Sequence, residues 1–592
     1  MKPLRPGVVV ANSRFELLGL LGRGGMGAVY SALDRERGVR VAIKTIAEMG
    51  HDSLILFKKE FRALQDLAHP NLVRLGELLE DDGQWFFTME LVEGVDFLRY
   101  VQKEVPAECG TAGDAAGLDT VDLLTTEADT GGKSAAVRAV ARAYAGADEG
   151  RLRAALHQLV TALLALHAAR KVHRDIKPSN ILVTREGRVV LLDFGVVSDL
   201  DQESIGRRAA TMGTAAYMAP EQAGPHPASA AADFYSVGVL LYQALTGRLP
   251  FIGGADQILE QKRLGVLAPP QMLGRDVPEP LARLCLSLLH PDPAARPAGA
   301  AILATLAPTA AGAPVAAHAT AGSDLFVGRA RELAVLDAAL GRCGRGEAVT
   351  LLVSGESGIG KSALLRRFLQ RLRQDQPGAV VLRGRCYERE SVPFKGVDAV
   401  IDQISGYLGH IGKDELRALL SSNERRARLA MVFPVLAGAL TRGQDAAALP
   451  PAEPVEMRRS AFLGLRELFT RLCERGKVVL AIDDLQWADE DSFALLAEVL
   501  RPPEAPPVLL LATVRVAAGG GQLPEGLLRL GESVQQLVLE PLPTADAREL
   551  AARLLPAEEA AGDGGLAERL ASEANGHPLF IDQLVRVPRG EQ

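Results

Sequence analysis

Two stretches of the 592-residue chain carry residues spaced to hold phosphate. LLGRGGMGAVY (20–30) sets Gly22, Gly24 and Gly27 in the pattern GxGxxG, with Val29 two residues on; GESGIGKS (355–362) sets Gly355, Gly358 and Gly360 ahead of Lys361 and Ser362. Glycine lets backbone approach phosphate oxygens closely because it has no Cβ. The first pattern alone is ambiguous, since it also opens dinucleotide-binding folds, where strand leads straight into helix. Here its flanks, FELLGLL and AVYSALD, read as two strands of a hairpin. The following strand, VRVAIKTI, carries Lys44, within reach of the α- and β-phosphates of a nucleotide. In LILFKKEFRALQDL the residues Phe57, Phe61, Leu64 and Leu67 recur at helical spacing, which leaves Glu60 on another face. A buried lysine needs a carboxylate, and Glu60 is the candidate.

Three further motifs follow: KVHRDIKPSNILV (171–183), LLDFGVV (191–197) and GTAAYMAPEQ (213–222). With them, residues 14–300 resemble a eukaryotic-type protein kinase domain of the bacterial serine/threonine class. The resemblance implies that Asp175 is the catalytic base, that Lys177 stabilises the transferring phosphoryl, and that Asn180 and Asp193 hold Mg²⁺ or Mn²⁺. It implies an ATP pocket of Gly22, Gly24, Gly27, Val29, Ala42, Lys44, Met89 (the gatekeeper), Glu90, Asn180 and Asp193. Thr214 would face the substrate, and Glu221 would pair with Arg296. Asp233 would anchor the catalytic loop. Arg174 would pair with a phosphorylated loop residue, for which Ser198, Ser204 and Thr211 are candidates; Ser204 and Thr211 lie nearest the family's sites.

In the second half, AVTLLV is an apolar strand, GESGIGKS the loop and ALLRRFLQRL a helix, the context that makes the loop a Walker A motif. Amides at the helix N-terminus cradle phosphates, Lys361 reaches the β and γ groups, and Ser362 ligates Mg²⁺. The strand in KVVLAIDDLQWADEDS ends in Asp483, a Mg²⁺ ligand, and Asp484, placed to polarise water. Arg515 ends another apolar strand and is placed to sense the γ-phosphate. FVGR near residue 328, the paired aspartates, and Gly576 with Pro578 together resemble the STAND ATPases, an AAA-related class. The spacing of 122 positions from Lys361 to Asp483 predicts inserted helices.

The elements that position these residues define the fold class: multidomain α+β and α/β, a two-lobed protein kinase fold followed by a P-loop NTPase parallel-sheet domain. The expected divisions are a tail (1–13), a kinase domain (14–304) with an insertion at about 102–150, an Ala/Pro-rich linker (305–323), and an ATPase domain (324–592). The chain stops soon after the lid motif, which reads as a C-terminal truncation. A net charge of −7 argues against a chain-wide grip on nucleic acid. Five scattered cysteines and no apolar run of about 20 residues predict a cytoplasmic protein without a membrane span. The expected activity is that of a non-specific serine/threonine protein kinase using ATP and Mg²⁺ or Mn²⁺ on protein substrates. The ATPase half is expected to act as a slow switch and to support a homo-oligomer. The alternative is a nucleotide-dependent STAND scaffold or transcription-regulatory protein whose kinase half tunes assembly.

Overall fold

The computed structural model describes residues 7–11, 13–24, 27–46, 51–65, 67–81, 83–103, 146–193, 198–199, 215–223, 229–265, 267–273, 277–307, 325–440, 453–516, 525–530, 534–555 and 565–586. The glycine hairpin consists of β1 (Phe15–Gly24) and β2 (Gly27–Asp34), antiparallel to each other, and β2 pairs with β3 (Val39–Ile46). Gly27 has no room for a side chain: a Cβ there would lie 1.7 Å from the Thr45 carbonyl oxygen. Helix α1 (His51–Leu64) leads to β4 (Leu75–Asp81) and β5 (Gln84–Glu90), and the strand order is β1-β2-β3-β5-β4. Phe57 and Phe61 of α1 meet the Phe87 ring of β5 at centroid distances of 5.0 and 5.6 Å, which seats the helix on the sheet. The helix stops at Leu64, so Leu67, expected on the same stripe, lies beyond its end.

Helix α2 (Glu149–Ala168) starts where Asp148 accepts a bond from the Arg151 amide, and it buries Leu152, Leu156, Leu159, Leu163 and Leu166 along one face. A hairpin of β6 (Ile181–Thr184) and β7 (Val189–Leu191) packs beside it. Helix α3 (Ala230–Thr246) is buried nearly all round, and α4 (Ala255–Leu264) follows. Gln102 and Ala147 form an isolated antiparallel bridge, and the Lys103 amide donates to the Gly146 carbonyl at 3.0 Å. Residues 104–145, which fall within the expected insertion, lie outside the described residues.

After α5 (Ala330–Cys343), the second half builds on β8 (Val349–Gly355), every residue of which is buried. Helix α6 (Lys361–Asp375), β9 (Val380–Arg385), β10 (Glu390–Ser391) and α7 (Asp398–His410) come next. Then follow β11 (Val478–Asp483), β12 (Leu509–Arg515), β13 (Val534–Val538) and α8 (Pro578–Arg586). The sheet order is β9-β11-β12-β8-β13 with every pairing parallel, and continuous apolar strands are what a sheet covered on both faces requires. Helices do fill the interval between Lys361 and Asp483: α7, Lys413–Leu419, Asn423–Val432 and Pro454–Cys473.

Strand β10 belongs to neither half alone. It pairs in parallel with β4, Glu390 opposite Leu78 and Ser391 opposite Leu79, and so extends the amino-terminal sheet with residues of the second half. A single cluster of buried side chains runs from Phe57 and Phe61 to Val400, Ile401, Val435 and Leu436. The sequence reading did not anticipate this joint.

The lower lobe is locked by Arg296, whose side chain is fully buried and bonds both carboxylate oxygens of Glu221 at 2.5 and 2.9 Å. It also donates to the carbonyls of His290, Ala231 and Pro291. Breaking such a pair strands a buried charge at about 3–5 kcal/mol. Arg296→Met is expected to lower the midpoint of thermal unfolding by about 10 °C, measured by calorimetry.

Candidate active site

Lys44 sits at the centre of the cleft between the first two lobes. Its ammonium donates to Glu60 Oε1 at 2.6 Å and to Asp193 Oδ1 at 2.7 Å. Burial opposes the charge on Lys44, but the two carboxylates outweigh it and raise its pKa. Burial likewise pushes the Glu60 carboxyl up to about 7, and its second oxygen is buried without a hydrogen-bond partner. Glu60 therefore depends on Lys44 as much as Lys44 depends on it. Opposite β3 in register, Ala42 faces Met89, and Glu90 closes the strand with an ion pair to Arg188 at 2.9 Å.

Below the cleft, Asp175 accepts from Lys177 Nζ at 2.8 Å and from Asn180 Nδ2 at 3.0 Å. Asn180 also bonds the Asp175 carbonyl at 2.9 Å, which fixes the loop between them. The loop hangs from Asp233 of α3, whose fully buried carboxylate accepts from the amides of His173 and Arg174 at 2.9 and 2.7 Å and contacts His167 Nε2 at 2.8 Å. Burial pushes the Asp233 carboxyl up, yet its bond to His167 and the neighbouring histidines hold it below the usual range. Arg174 and Asp193 both carry positive φ, +69° and +51°. Of the loop candidates, Ser204, Thr211 and Thr214 lie outside the described residues, and only the backbone of Ser198 falls within them.

The second site is built on the end of β8. Lys361 Nζ donates to the carbonyls of Gly355 at 2.8 Å and Glu356 at 2.6 Å, and Ser362 Oγ lies 3.0 Å from Asp483 Oδ1. Gly358 and Gly360 have φ of +82° and +103°, which only glycine takes without strain. Thr513 donates to Asp483 and accepts from the Asp484 amide. Asp484 does not face open water: Arg515 Nε at 3.0 Å, Arg385 at 3.2 Å and Gln486 at 3.0 Å surround its carboxylate. Burial pushes the Asp484 carboxyl up, but these partners outweigh it and hold it low. Arg515, expected at a γ-phosphate, here reaches Asp484. The lid motif lies over the loop: Leu579 Cδ2 would be 2.6 Å and His577 Cε1 3.0 Å from a Cβ on Gly358, and Pro578 begins α8.

Both sites offer hard oxygen donors, Asp193 and Asn180 in one, Ser362 and Asp483 in the other. Among the described residues no group of three or more His, Cys, Asp or Glu could hold a metal unaided. That donor set fits Mg²⁺, which binds one or two protein oxygens and completes its shell with phosphate and water.

Sequence reasoning missed four participants: Arg385, Gln486, His577 and Lys262. Lys262 of α4 is fully buried, and its Nζ donates to the carbonyls of Ala215, Ala216 and Met218 at 3.0, 2.7 and 2.6 Å. Burial pulls its pKa down to about 7, whereas only the ammonium form has three N–H donors for three carbonyls. QKR in an amphipathic helix reads as surface charge, so no local signal marks it.

This arrangement sets a glycine hairpin and Lys44 above Asp175, whose loop hangs from a buried helix, beside a separate parallel sheet with a P-loop. The comparisons assign both parts. Residues 15–117 and 122–306 match the protein kinase domain family, and residues 325–511 match the AAA ATPase domain family. The chain joins a protein kinase domain to an AAA ATPase domain. It is 34% identical over 309 residues to the DNA damage-responsive serine/threonine-protein kinase RqkA of Deinococcus radiodurans, covering 51% of this chain and 40% of that one. It is 32% identical over 296 residues to the serine/threonine-protein kinase PknA of Mycobacterium tuberculosis, covering 49% and 59%. The serine/threonine-protein kinase PrkC of Bacillus subtilis is 28% identical over 286 residues, covering 48% and 38%. The chain thus spans between 38% and 59% of the length of these relatives. Among the described residues no helix is long and apolar enough to cross a membrane.

Lys262 makes a specific expectation possible. Lys262→Met leaves three backbone carbonyls without their donor, each a loss of about 1–3 kcal/mol. The segment after Thr214 should loosen, and kcat/KM for a protein substrate should fall about tenfold or more. The KM for ATP should stay unchanged, because the cleft around Lys44 is untouched; steady-state kinetics with each substrate varied in turn checks both.

Proposed function

We propose that the chain transfers the γ-phosphoryl of ATP to serine or threonine of a protein, under the control of its ATP-binding second half. The observation that carries the reading is the assembled pair of constellations: Lys44 with Glu60 and Asp193 above, Asp175 with Lys177 and Asn180 below. Lys44 would hold the α- and β-phosphates, and Asp175 would take the proton of the incoming hydroxyl. Lys177, beside that base, would balance charge on the moving phosphoryl group. Asn180 and Asp193 would hold Mg²⁺, which neutralises phosphate charge when bound. The serine/threonine-protein kinases this chain resembles support the choice of acceptor. A phosphate on Ser204 or Thr211, paired with Arg174, would order the activation loop.

The second site would bind ATP through Lys361 and Ser362 and hydrolyse it slowly. Asp484 is held by two arginines, so it must be released before it can polarise a water. Slow turnover suits a switch, because the ATP-bound state then lasts long enough to be read. A cytoplasmic location and a homo-oligomer through the ATPase half belong to the same reading.

Asp175→Asn is expected to abolish transfer to a generic basic protein while sparing ATP binding, because the base makes no ground-state contact with nucleotide. Phosphoamino-acid analysis should find phosphoserine and phosphothreonine; dominant phosphotyrosine, or undiminished transfer by Asp175→Asn, would refute the reading. In that same variant any remaining phosphate release reports the second site. It should be slower than phosphoryl transfer by the parent chain and should vanish in Lys361→Ala.

A further inference from the structure

A buried ionic cluster lies between the two nucleotide sites. Lys58 and Arg62 are one turn apart on α1 and share a face, while Glu60, two residues from each, points the other way. Lys58 Nζ bonds Asp398 at 2.7 and 2.8 Å and Asp402 at 2.9 Å, and it lies 5.0 Å from the Trp85 ring. Arg62 grips both oxygens of Glu390 at 2.7 and 3.0 Å and reaches Asp398 at 2.7 Å and Asp402 at 3.3 Å. Side-chain exposure runs from 0% for Glu390 to 12% for Arg62 and Asp402, so water screens little of this. Three carboxylates face two cations, leaving a surplus negative charge. Burial and the neighbouring Asp398 raise the Asp402 pKa; the Asp398 carboxyl, which burial also pushes up, is held low by Lys58 and Arg62. A joint serving stability alone is as well made from apolar side chains.

The carboxylates come from a segment that begins at the second nucleotide site. Strand β9 ends in Arg385, whose guanidinium meets Asp484, and the next amide, Cys386, donates to the Asp483 carbonyl at 2.9 Å. Four residues on, Glu390 enters the amino-terminal sheet. The segment returns to its own half where the Phe394 amide bonds Asp489 and the Gly396 amide bonds Ser492, each at 2.9 Å, and α7 then starts at Asp398. One end of the segment therefore bears on Asp483 and Asp484, and the other on α1.

From this geometry we infer that Lys58 and Arg62 are positioning residues: gripped by Glu390, Asp398 and Asp402, they hold Glu60 against Lys44, and the segment 385–398 lets the second nucleotide site set that grip. The inference rests on the kinase reading above and names how its control is exerted. Helix α1 cannot tilt from the cleft without breaking the cluster, and a tilt would part Glu60 from Lys44. The reach of the effect is set by how differently ATP binds the gripped and released forms.

The test exchanges charges in the full chain: Arg62→Glu, Glu390→Arg, and the two together, each assayed on a generic basic protein. Each single variant should lose on the order of tenfold to a hundredfold in kcat with little change in KM for the protein substrate. The exchanged pair should regain about tenfold over the worse single variant, a rescue that mere damage to the fold would not give. Trp85 and Trp487 are the only tryptophans, so in a Trp487→Phe chain the emission of Trp85 reads the same joint without turnover. It should shift to the red in each single variant and return in the pair. Should a single variant melt with the loss of its fold, Lys58→Gln, which adds no like charge, takes its place with the same expected loss of kcat and red shift. Parental kcat and emission in the single variants, or an exchanged pair no better than either, overturns the inference and leaves the kinase reading standing. A parent chain that transfers no phosphate sinks the kinase reading instead, and Trp85 emission still decides whether the cluster holds α1.

Discussion

The ammonium of Lys44 is buried, and the structure around it follows from that fact. It keeps its charge only because Glu60 and Asp193 stand within hydrogen-bond distance, and Glu60 stands there only because α1 is in place. On its inner face α1 is seated by Leu54, Phe57 and Phe61, which belong to one buried cluster with the sheet. The outer face supplies the rest, through two cations held by three carboxylates more than 300 residues away in the chain. A buried pair that loses one member is worse than no pair, so the cleft and the joint are coupled by the cost of leaving charges unmatched.

The proposed coupling would give the two nucleotide sites a division of labour. In the proposed reading the first is equipped for transfer: Asp175 lies beside Lys177, and Lys262 ties down the segment of Ala215, Ala216 and Met218. The second holds Asp484 between Arg385 and Arg515, which in the proposed reading suits a slow switch. Arg385 stands at the start of the segment that ends on α1, so one residue belongs to both the second site and the route out of it.

The motif residues were legible where several of them share one locally determined element. Asp175, Lys177 and Asn180 share one loop, and Gly355 to Ser362 share a strand end and a helix start. Glu60 was legible from helical period, since Phe57 and Phe61 define the face it avoids. Lys58 and Arg62 were not. On a helix wheel they read as solvated charges, and Asp398 and Asp402 read the same on α7; only the fold turns four surface-like residues into a buried cluster. Strand β10 is two residues long, too short for any periodicity. The pairing of Asp484 with two arginines was hidden for a related reason: Arg385 ends a strand nearly a hundred residues earlier, and no spacing rule joins them.

Hydrogen exchange along α1 tests most directly whether the second half holds the first site together. Amides of residues 55–64 are compared in the full chain and in its Glu390→Arg variant, with α3 as an internal reference because it lies away from the joint. Loss of the grip is expected to speed exchange across α1 by about tenfold or more while α3 stays unchanged. Equal protection of α1 in the two chains would contradict the account.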